Sequence, residues 1–281
     1  GTFAAAAVAS KCLKLSVSQT ENALSLAGLQ SGGLLEALSS GEMGKSFQVG
    51  KAVQSGVLAA IFTQKGADGP EKIFEGDKGF FKSFSDKECD TESICKDLGN
   101  EFQIINVYFK RHAACRHIHS ALDASGEIIA ENDVDLTEID SIDVETYSVA
   151  KNLTGHLATQ GSELAAKFSM PITIGLLLVF GRTDALAFTR ENISHPQVNA
   201  IAQKVAIRVN SARDAVYPGQ RGADVLVRTK GRSLRREVIY PKGEPENPLS
   251  LDELIGKYEI NAGLVYSAES VRYLRENIMN I

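Results

Sequence analysis

The sequence lacks the usual marks of a zinc framework, a membrane span and a nucleic-acid-binding surface. No C-x-x-C pair occurs among its four cysteines, so the common zinc-binding patterns are missing. The longest apolar run, at 171–180, has ten residues, whereas a transmembrane helix needs about twenty. The formal net charge of −5 argues against broad nucleic-acid binding but permits a local cationic pocket for a small anion.

The cysteines and the first residues bear on the cell compartment. Cys89 and Cys95 are close enough in sequence to be bridged in a secreted protein, but nothing else in the sequence suggests secretion. The opening TFAAAAVAS is apolar, yet no basic stretch precedes it as in a signal peptide. We therefore predict reduced thiols in a cytoplasmic protein with no membrane and no nucleic-acid partner.

Helical patterns occupy both ends of the chain. The alanine-rich segment 3–14 favours a helix whose small side chains allow close helix packing. Ser18 followed by Glu21 predicts a capping box for a helix over 16–30. Two further segments have helical spacing: 49–66, ended by Gly66, and the residues after Pro248.

The pattern changes near residue 105. Alternation of apolar and polar residues over 139–147 predicts a strand with one early irregularity. Two β-rich runs in 223–241 flank a Lys-Gly pair and predict a β-hairpin. Residues 197–205 predict a short helix that leads into a strand.

The central apolar segment 163–181 favours a buried helix, in which Pro171 predicts a kink or a break. The order of elements predicts a fold that is mainly α with an α+β part. A large helical domain interrupted by a smaller α+β domain explains this order. The predicted division is 1–106 for the helical domain, 107–245 for the α+β insertion and 246–281 for the return to the helical domain.

Residues 109–124, FKRHAACRHIHSALDA, concentrate the chemistry of the chain. Cys115, His117 and His119 would share one face of a strand and resemble a metal site, with His156 or Asp123 as further ligands. Cys115 and His117 would alternatively form a nucleophilic pair. A structural role, with His119 capping the following helix, is a third interpretation.

Anion capture is the interpretation that we favour for this segment. Lys110, Arg111 and Arg116 supply cationic donors, and arginine presents a fork that fits a carboxylate. His117 would then move protons near neutral pH. We predict no metal at this cluster.

Two other lysines are candidates. Lys45 lies in the Gly-rich stretch 41–56, which we expect to enter a helix near Val49 and to offer amide N–H groups to an anion. The spacing does not fit a nucleotide-binding Walker motif, and by spacing alone Lys45 is a surface residue. Lys167 lies in an apolar segment and has the pattern of a snorkelling lysine.

Taken together, these segments resemble the MmgE/PrpD family, which includes 2-methylcitrate dehydratase, cis-aconitate decarboxylase and iminodisuccinate epimerase. The resemblance covers residues 1 to about 258 in the order of the family. The matching stretches are GTFAAAAVASKCLKL, NALSLAGLQSGGLLEA, MGKSFQVGKAVQSGVLAA, GFFKSFS, FKRHAACRHIHSALDA, AAKFSMP and YPKGEPENPLS.

The resemblance implies a helical domain with an inserted α+β lid, an active site in the cleft and a homodimer. It also implies a small di- or tricarboxylate substrate and no metal or organic cofactor. The active-site lysine of the family's first Gly-rich segment matches Lys45, and the lysine at the start of its lid matches Lys110. Arg116 and His117 match the branch with a C-R-H-x-H pattern.

Three departures from the family are visible. Cys115 stands where the decarboxylase has histidine, which argues against decarboxylation. His112 replaces an aromatic residue. The family's Gly-aromatic-His-x-Thr motif, with its catalytic histidine, would come immediately before Gly1. We therefore expect the chain to correspond to roughly the C-terminal two-thirds of a family member.

The resemblance predicts a lyase that abstracts a proton next to a carboxylate and then eliminates, as 2-methylcitrate dehydratase does. Lys45 and His117 are the predicted catalytic residues, and Lys110, Arg116 and Lys167 the predicted substrate-binding residues. An isomerase of the iminodisuccinate epimerase type is the alternative. A catalytically inactive fragment is a further alternative.

Overall fold

The computed structural model describes residues 1–34, 44–85, 88–157 and 162–280. The chain forms two compact units, Gly1–Phe102 and Gln103–Ile281. The helices of the first unit are α1 (Thr2–Cys12), α2 (Val17–Gly28), α3 (Gly44–Gln64), α4 (Phe80–Phe84) and α5 (Thr91–Cys95).

Small residues bring α1 and α3 close together. Ala6, Ala27 and Ala59 are fully buried where α1, α2 and α3 meet. A Cβ atom at Gly56 of α3 would lie 2.3 Å from the Thr2 carbonyl oxygen, so only glycine fits there. The close helix packing predicted from the small side chains of α1 is confirmed.

Two helix starts in this unit differ from the sequence-based expectation. The capping box of α2 is formed by Ser16 and Gln19, because the extended backbone of Ser16 puts its hydroxyl within reach of the Gln19 N–H. The predicted start near Val49 is also wrong, since α3 includes Gly44–Gln64. The Val49 N–H therefore lies inside the helix, where it donates within the helix rather than to an anion.

The second unit combines helices with a sheet. Its helices are α6 (His119–Asn132), α7 (Ser148–Thr154), α8 (Glu163–Ala166), α9 (Met170–Phe180), α10 (Arg190–Ile193), α11 (Pro196–Ala202), α12 (Ser211–Val216), α13 (Leu251–Ala262) and α14 (Ala268–Met279). Its strands are β1 (Ile139–Thr146), β2 (Val205–Val209), β3 (Ala223–Thr229) and β4 (Arg232–Val238). The predicted fold class, mainly α with an α+β part, is confirmed.

The strands form one sheet in the order β2-β1-β3-β4, with β1 parallel to β2 and the other pairs antiparallel. The predicted hairpin is confirmed: Thr229 pairs with Arg232, and Gly231 in the turn has a φ of 84°. The early irregularity of β1 is a register shift between Ile139 and Ser141.

The two faces of the sheet differ. Ile142 and Val144 of β1 pair with Val227 and Val225 of β3, and all four side chains are buried in the core. Helix α6 packs against β3, β4 and α9. The other face carries ion pairs, and it includes Asp143, which contacts the guanidinium groups of two arginines: Arg208 and Arg228.

The apolar segment around Pro171 is broken into α8 and α9. Pro171 lies in the first turn of α9, where a missing N–H costs no helical hydrogen bond, and the Ser169 hydroxyl caps the helix. The predicted break is confirmed, whereas a single helix over 163–181 is wrong. Among the described helices, none is both long and apolar enough to cross a membrane.

The residues after Pro248 form α13 and α14, and a capping box of Ser250 and Glu253 starts α13. Both helices lie in the second compact unit. The division into 1–106, 107–245 and 246–281 stays a prediction.

Candidate functional site

The segment before α6 is irregular rather than extended. Residues Arg116–Ile118 form a 3₁₀ turn, and His119 begins α6. Cys115, His117 and His119 therefore do not share the face of a strand, and this premise of a metal site is wrong. Within the described ranges, no group of three or more His, Cys, Asp or Glu side chains is arranged to hold a metal ion.

Arg116 is buried and has an ionic partner from a distant loop. Its Nη2 lies 2.8 Å from Glu244 Oε1, and the two side chains are 5% and 10% exposed. Its guanidinium lies over the ring of Tyr108, 4.4 Å from the ring centre. The positive charge is thus balanced inside the protein, and a substrate carboxylate would compete with Glu244 for it.

His119 supports Arg116 rather than capping the helix. Arg116 Nη1 donates to His119 Nδ1 over 2.9 Å. Ile118 is the N-cap residue of α6, and no side-chain hydrogen bond caps it, so the predicted capping role is wrong. Burial, followed by the neighbouring His112 and Arg116, holds the pKa of His119 well below its usual value.

His112 ties this segment to two other parts of the unit. Its Nδ1 lies 2.5 Å from Thr183 Oγ1, and its Nε2 lies 3.0 Å from Asp123 Oδ1. Asp123 Oδ2 accepts the Lys242 backbone N–H over 2.7 Å, and Arg111 Nη1 is 3.4 Å from Asp123 Oδ1. The Asp123 carboxylate, a candidate metal ligand in the sequence analysis, thus contacts a histidine, an arginine and a backbone amide.

His117 is half-buried and contacts two tyrosines. Its Nδ1 lies 2.6 Å from the Tyr147 hydroxyl, and the Tyr147 ring stacks on Tyr217 with 4.7 Å between ring centres. Burial, then the charges of Arg221 and Lys110, lower the pKa of His117 to about 4. A charge change of His117 near neutral pH does not agree with this lowered pKa, because burial and then positive neighbours disfavour an imidazolium.

The candidate lysines fall in both units. Lys110 Nζ donates to the Ala114 carbonyl over 3.1 Å, and its charge acts on His117. The Lys167 carbonyl accepts a hydrogen bond from the Cys115 N–H over 2.8 Å. The Lys167 ammonium group lies 5.4 Å from the centre of the Phe188 ring. The structure thus brings four of the predicted site residues together around one segment: Lys110, Arg116, His117 and Lys167.

Lys45 lies on α3 of the first unit, where its side chain is exposed. The catalytic and binding roles of Lys45 and of the four residues in the second unit stay predictions.

Several partners in the second unit were not expected from the sequence. Glu244 lies in YPKGEPENPLS, one of the stretches that resemble the family. This resemblance could have indicated Glu244 as a site residue. Tyr147 directly follows β1, but no pattern indicates that it contacts a histidine. Arg221 Nη1 lies 3.8 Å from Glu244 Oε1. No sequence pattern around Arg221 indicates this contact.

Four grooves described in this unit do not include His117. Two of them, with volumes of 360 and 410 Å³, are lined by Arg111 and His112. Two of the three cations at the first groove, Arg111 and Arg182, have carboxylate partners: Arg111 pairs with Asp123, and Arg182 lies 2.7 Å from Asp184. We therefore identify the candidate site by its charges around His117 rather than by cavity volume.

Comparison with known sequences agrees with the resemblance seen in the motifs. The profile of the MmgE/PrpD N-terminal domain matches residues 1–92, and that of the MmgE/PrpD C-terminal domain matches residues 112–280. The chain belongs to the MmgE/PrpD family.

Curated relatives include enzymes of fungal and human origin. The chain is 28% identical to a cis-aconitate decarboxylase-like protein of Aspergillus oryzae, with 100% of the chain and 61% of the relative covered. It is 23% identical to cis-aconitate decarboxylase of Aspergillus terreus, with 100% and 60% covered. Identity to human cis-aconitate decarboxylase is 24%, with 100% and 58% covered. The chain thus spans about three-fifths of the length of these relatives.

Proposed function

We propose that the protein is a lyase that acts on a small di- or tricarboxylate. The observation that carries this proposal is the group of cations beside His117. Arg116 and Arg221 both lie over the Tyr108 ring, and Arg221 and Lys110 add to the effect of burial in lowering the pKa of His117. A positive potential at an accessible polar group suits a polyanionic substrate. Family membership and the names of the relatives support the same substrate class.

The proposed reaction begins with removal of a proton next to a carboxylate, followed by loss of a β-hydroxyl group. Such a proton is weakly acidic, so the enolate-like charge that develops needs preorganised positive groups. Lys110 would stabilise this charge, and Lys45 would serve as a second electrostatic group or as the base. Arg116 would bind a carboxylate in exchange for Glu244, and Lys167 would bind another. No cofactor takes part in this proposal.

Decarboxylation of a cis-aconitate-like substrate is the second candidate, because the relatives carry that name. The cysteine at position 115 speaks against it, since the resemblance of the motifs implies a histidine at this position in the decarboxylase. Epimerisation and an inactive fragment remain the alternatives. A homodimer and a cytoplasmic location also stay predictions.

The chain spans only about three-fifths of the length of its relatives, so the test uses the protein at its full natural length. The protein is incubated in D₂O with 2-methylcitrate, citrate, cis-aconitate and iminodisuccinate, and each reaction is followed by NMR. Dehydration would consume 2-methylcitrate or citrate and form an alkene, epimerisation would incorporate deuterium, and decarboxylation would release CO₂. We expect dehydration, and no turnover of any of the four would contradict the proposal.

Lys110→Gln tests the site itself. We expect kcat/KM to fall by about 10²–10³, the usual effect of removing one preorganised electrostatic contact. Lys230→Gln, at the exposed hairpin turn of the same unit, is the matched control and should leave kcat/KM unchanged. If the two substitutions lowered kcat/KM equally, the cations around His117 would not be part of the active site.

A further inference from the structure

Tyr147 and His117 form a partly buried contact that bears on the chemistry of the site. Tyr147 follows β1 and is fully buried, and its hydroxyl oxygen lies 2.6 Å from His117 Nδ1. The Tyr147 ring is held between His117 and Tyr217, with an interplanar angle of 19° to Tyr217. The hydroxyl is therefore fixed in place by packing.

We propose that Tyr147 is a positioning residue that keeps the imidazole proton of His117 on Nε2. His117 then meets a substrate as a neutral hydrogen-bond donor, not as a base. The functional half of this inference rests on the lyase proposed above, whereas the tautomer is a property of the chain itself.

A count of hydrogen bonds supports the assignment of the proton. In the part of the chain that the structure describes, the Tyr147 hydroxyl has one hydrogen-bond partner, His117 Nδ1. If Nδ1 carried the proton, it would donate to Tyr147, and the tyrosine hydrogen would be buried without an acceptor. Such a buried, unsatisfied donor is unfavourable. Hence the tyrosine donates, Nδ1 accepts, and the neutral ring carries its proton on Nε2.

The surrounding charges favour the same state. Burial, and then the charges of Arg221 and Lys110, disfavour a second proton on His117, so the imidazole stays neutral at neutral pH. Burial raises the pKa of Tyr147, which keeps its hydroxyl protonated and able to donate. Neither partner therefore changes its charge in the range where most enzymes work.

The opposite edge of the ring has no hydrogen-bond partner among the described residues. His117 is only half-buried, and across the described segments no side chain or carbonyl bonds to its Nε2. An Nε2–H group beside two cations points to a carboxylate or a developing oxyanion as its acceptor. A neutral imidazole can polarise such a group without giving up its proton.

The first test reads the tautomer on this chain without any turnover. The protein is labelled with ¹⁵N-histidine, and the two ring nitrogens of His117 are assigned by comparison with His117→Gln. We expect a protonated Nε2 and an unprotonated Nδ1 at pH 7, with well-separated shifts. A protonated Nδ1, or shifts averaged between two tautomers, would overturn the inference.

Tyr147→Phe keeps the ring and removes the hydrogen bond. We expect the His117 shifts to move toward the averaged values of an unrestrained imidazole and its pKa to rise, because the neutral form loses a donor. Tyr217→Phe is the matched control, since no bond from its hydroxyl to His117 is present. Unchanged His117 shifts in Tyr147→Phe would overturn the role of Tyr147. The wild-type shifts decide the tautomer even if this variant fails to fold.

The second test asks what His117 does in the whole protein. The amide nitrogen of Gln reaches the position of Nε2, whereas Asn does not reach it. We therefore expect His117→Gln to keep at least about tenfold more kcat than His117→Asn, an effect on the scale of one charge-assisted hydrogen bond. Equal and nearly complete loss in both variants would indicate proton transfer and overturn the donor role. Wild-type inactivity on all four substrates would instead contradict only the proposed function.

Discussion

At the scale of single residues, several buried polar groups of the second unit have partners far away in sequence. Arg116 pairs with Glu244, and His112 lies between Thr183 and Asp123. These contacts hold an irregular segment rigidly against α6. The cluster is therefore a preorganised polar network, and removing one partner leaves another buried and uncompensated.

Glu244→Gln should lower the free energy of unfolding by about 3 kcal/mol. The substitution leaves the Arg116 charge buried without its carboxylate, and breaking a buried ion pair from one side is strongly destabilising. Urea unfolding measures the difference. Glu246→Gln is the control, because Glu246 is exposed, and its effect should stay within about 0.5 kcal/mol. Similar values for both variants would mean that Arg116 finds another partner.

The lowered pKa of His117 predicts acid sensitivity. The usual pKa is 6.5 and the folded value is about 4, so the unfolded state binds more protons between these two pH values. The stabilisation is fully present above pH 6.5 and is lost as the pH falls toward 4. Unfolding at pH 7 and pH 5 should show a smaller loss in His117→Gln than in the wild-type protein. If the wild-type protein and His117→Gln lost the same free energy of unfolding between pH 7 and pH 5, groups other than His117 would cause the acid sensitivity.

At the scale of elements, glycines decide how closely two helices of the first unit pack. Gly56 and Gly50 lie on the same helix, α3, but only Gly56 faces α1. A Cβ at Gly56 would meet Thr2 and Ala5, whereas a Cβ at Gly50 has nothing within 4 Å. The two positions thus separate packing from helix propensity.

Gly56→Ala should lower the free energy of unfolding by about 1–3 kcal/mol, the usual cost of overpacking. Gly50→Ala should raise it by up to about 1 kcal/mol, because alanine favours a helix more than glycine does. Thermal unfolding followed by circular dichroism tests both. A stabilised Gly56→Ala variant would show that α1 and α3 separate without cost.

At the scale of the whole molecule, the two units differ in the size of their cores. The second unit buries a continuous core between its sheet and α6, α9 and α11. In the part of the first unit that the structure describes, the buried apolar cluster consists of Ala6, Ala27 and Ala59, with Phe3, Leu24 and Leu26 packed against it. Burial of large apolar side chains contributes most of the stability of a domain.

Residues 103–281 should therefore fold alone with a cooperative unfolding transition. Residues 1–102, expressed in the same way, should unfold at a lower urea concentration. Circular dichroism of both fragments provides the comparison. A less stable second unit would mean that its core depends on the rest of the chain.

Local patterns in the sequence were enough to predict several elements correctly. The alternation over 139–147 indicated β1, the Lys-Gly pair indicated the β3–β4 hairpin, and Pro171 indicated the break before α9. Each of these signals depends on residues within a few positions of one another, where backbone preferences act directly. The predicted capping box of α2 was wrong by two residues. Ser16 and Ser18 have the same side chain, so the sequence alone does not show which serine caps the helix.

The sequence by itself determined the family, the fold class and the cationic segment before α6, because motifs and periodicity are local and keep their order along the chain. Only the tertiary structure decided that Arg116 faces Glu244 and that His117 faces Tyr147. These partners are separated by 128 and 30 residues, and no spacing rule connects them. Burial and neighbouring charge, which set the state of His117, exist only after distant elements have packed.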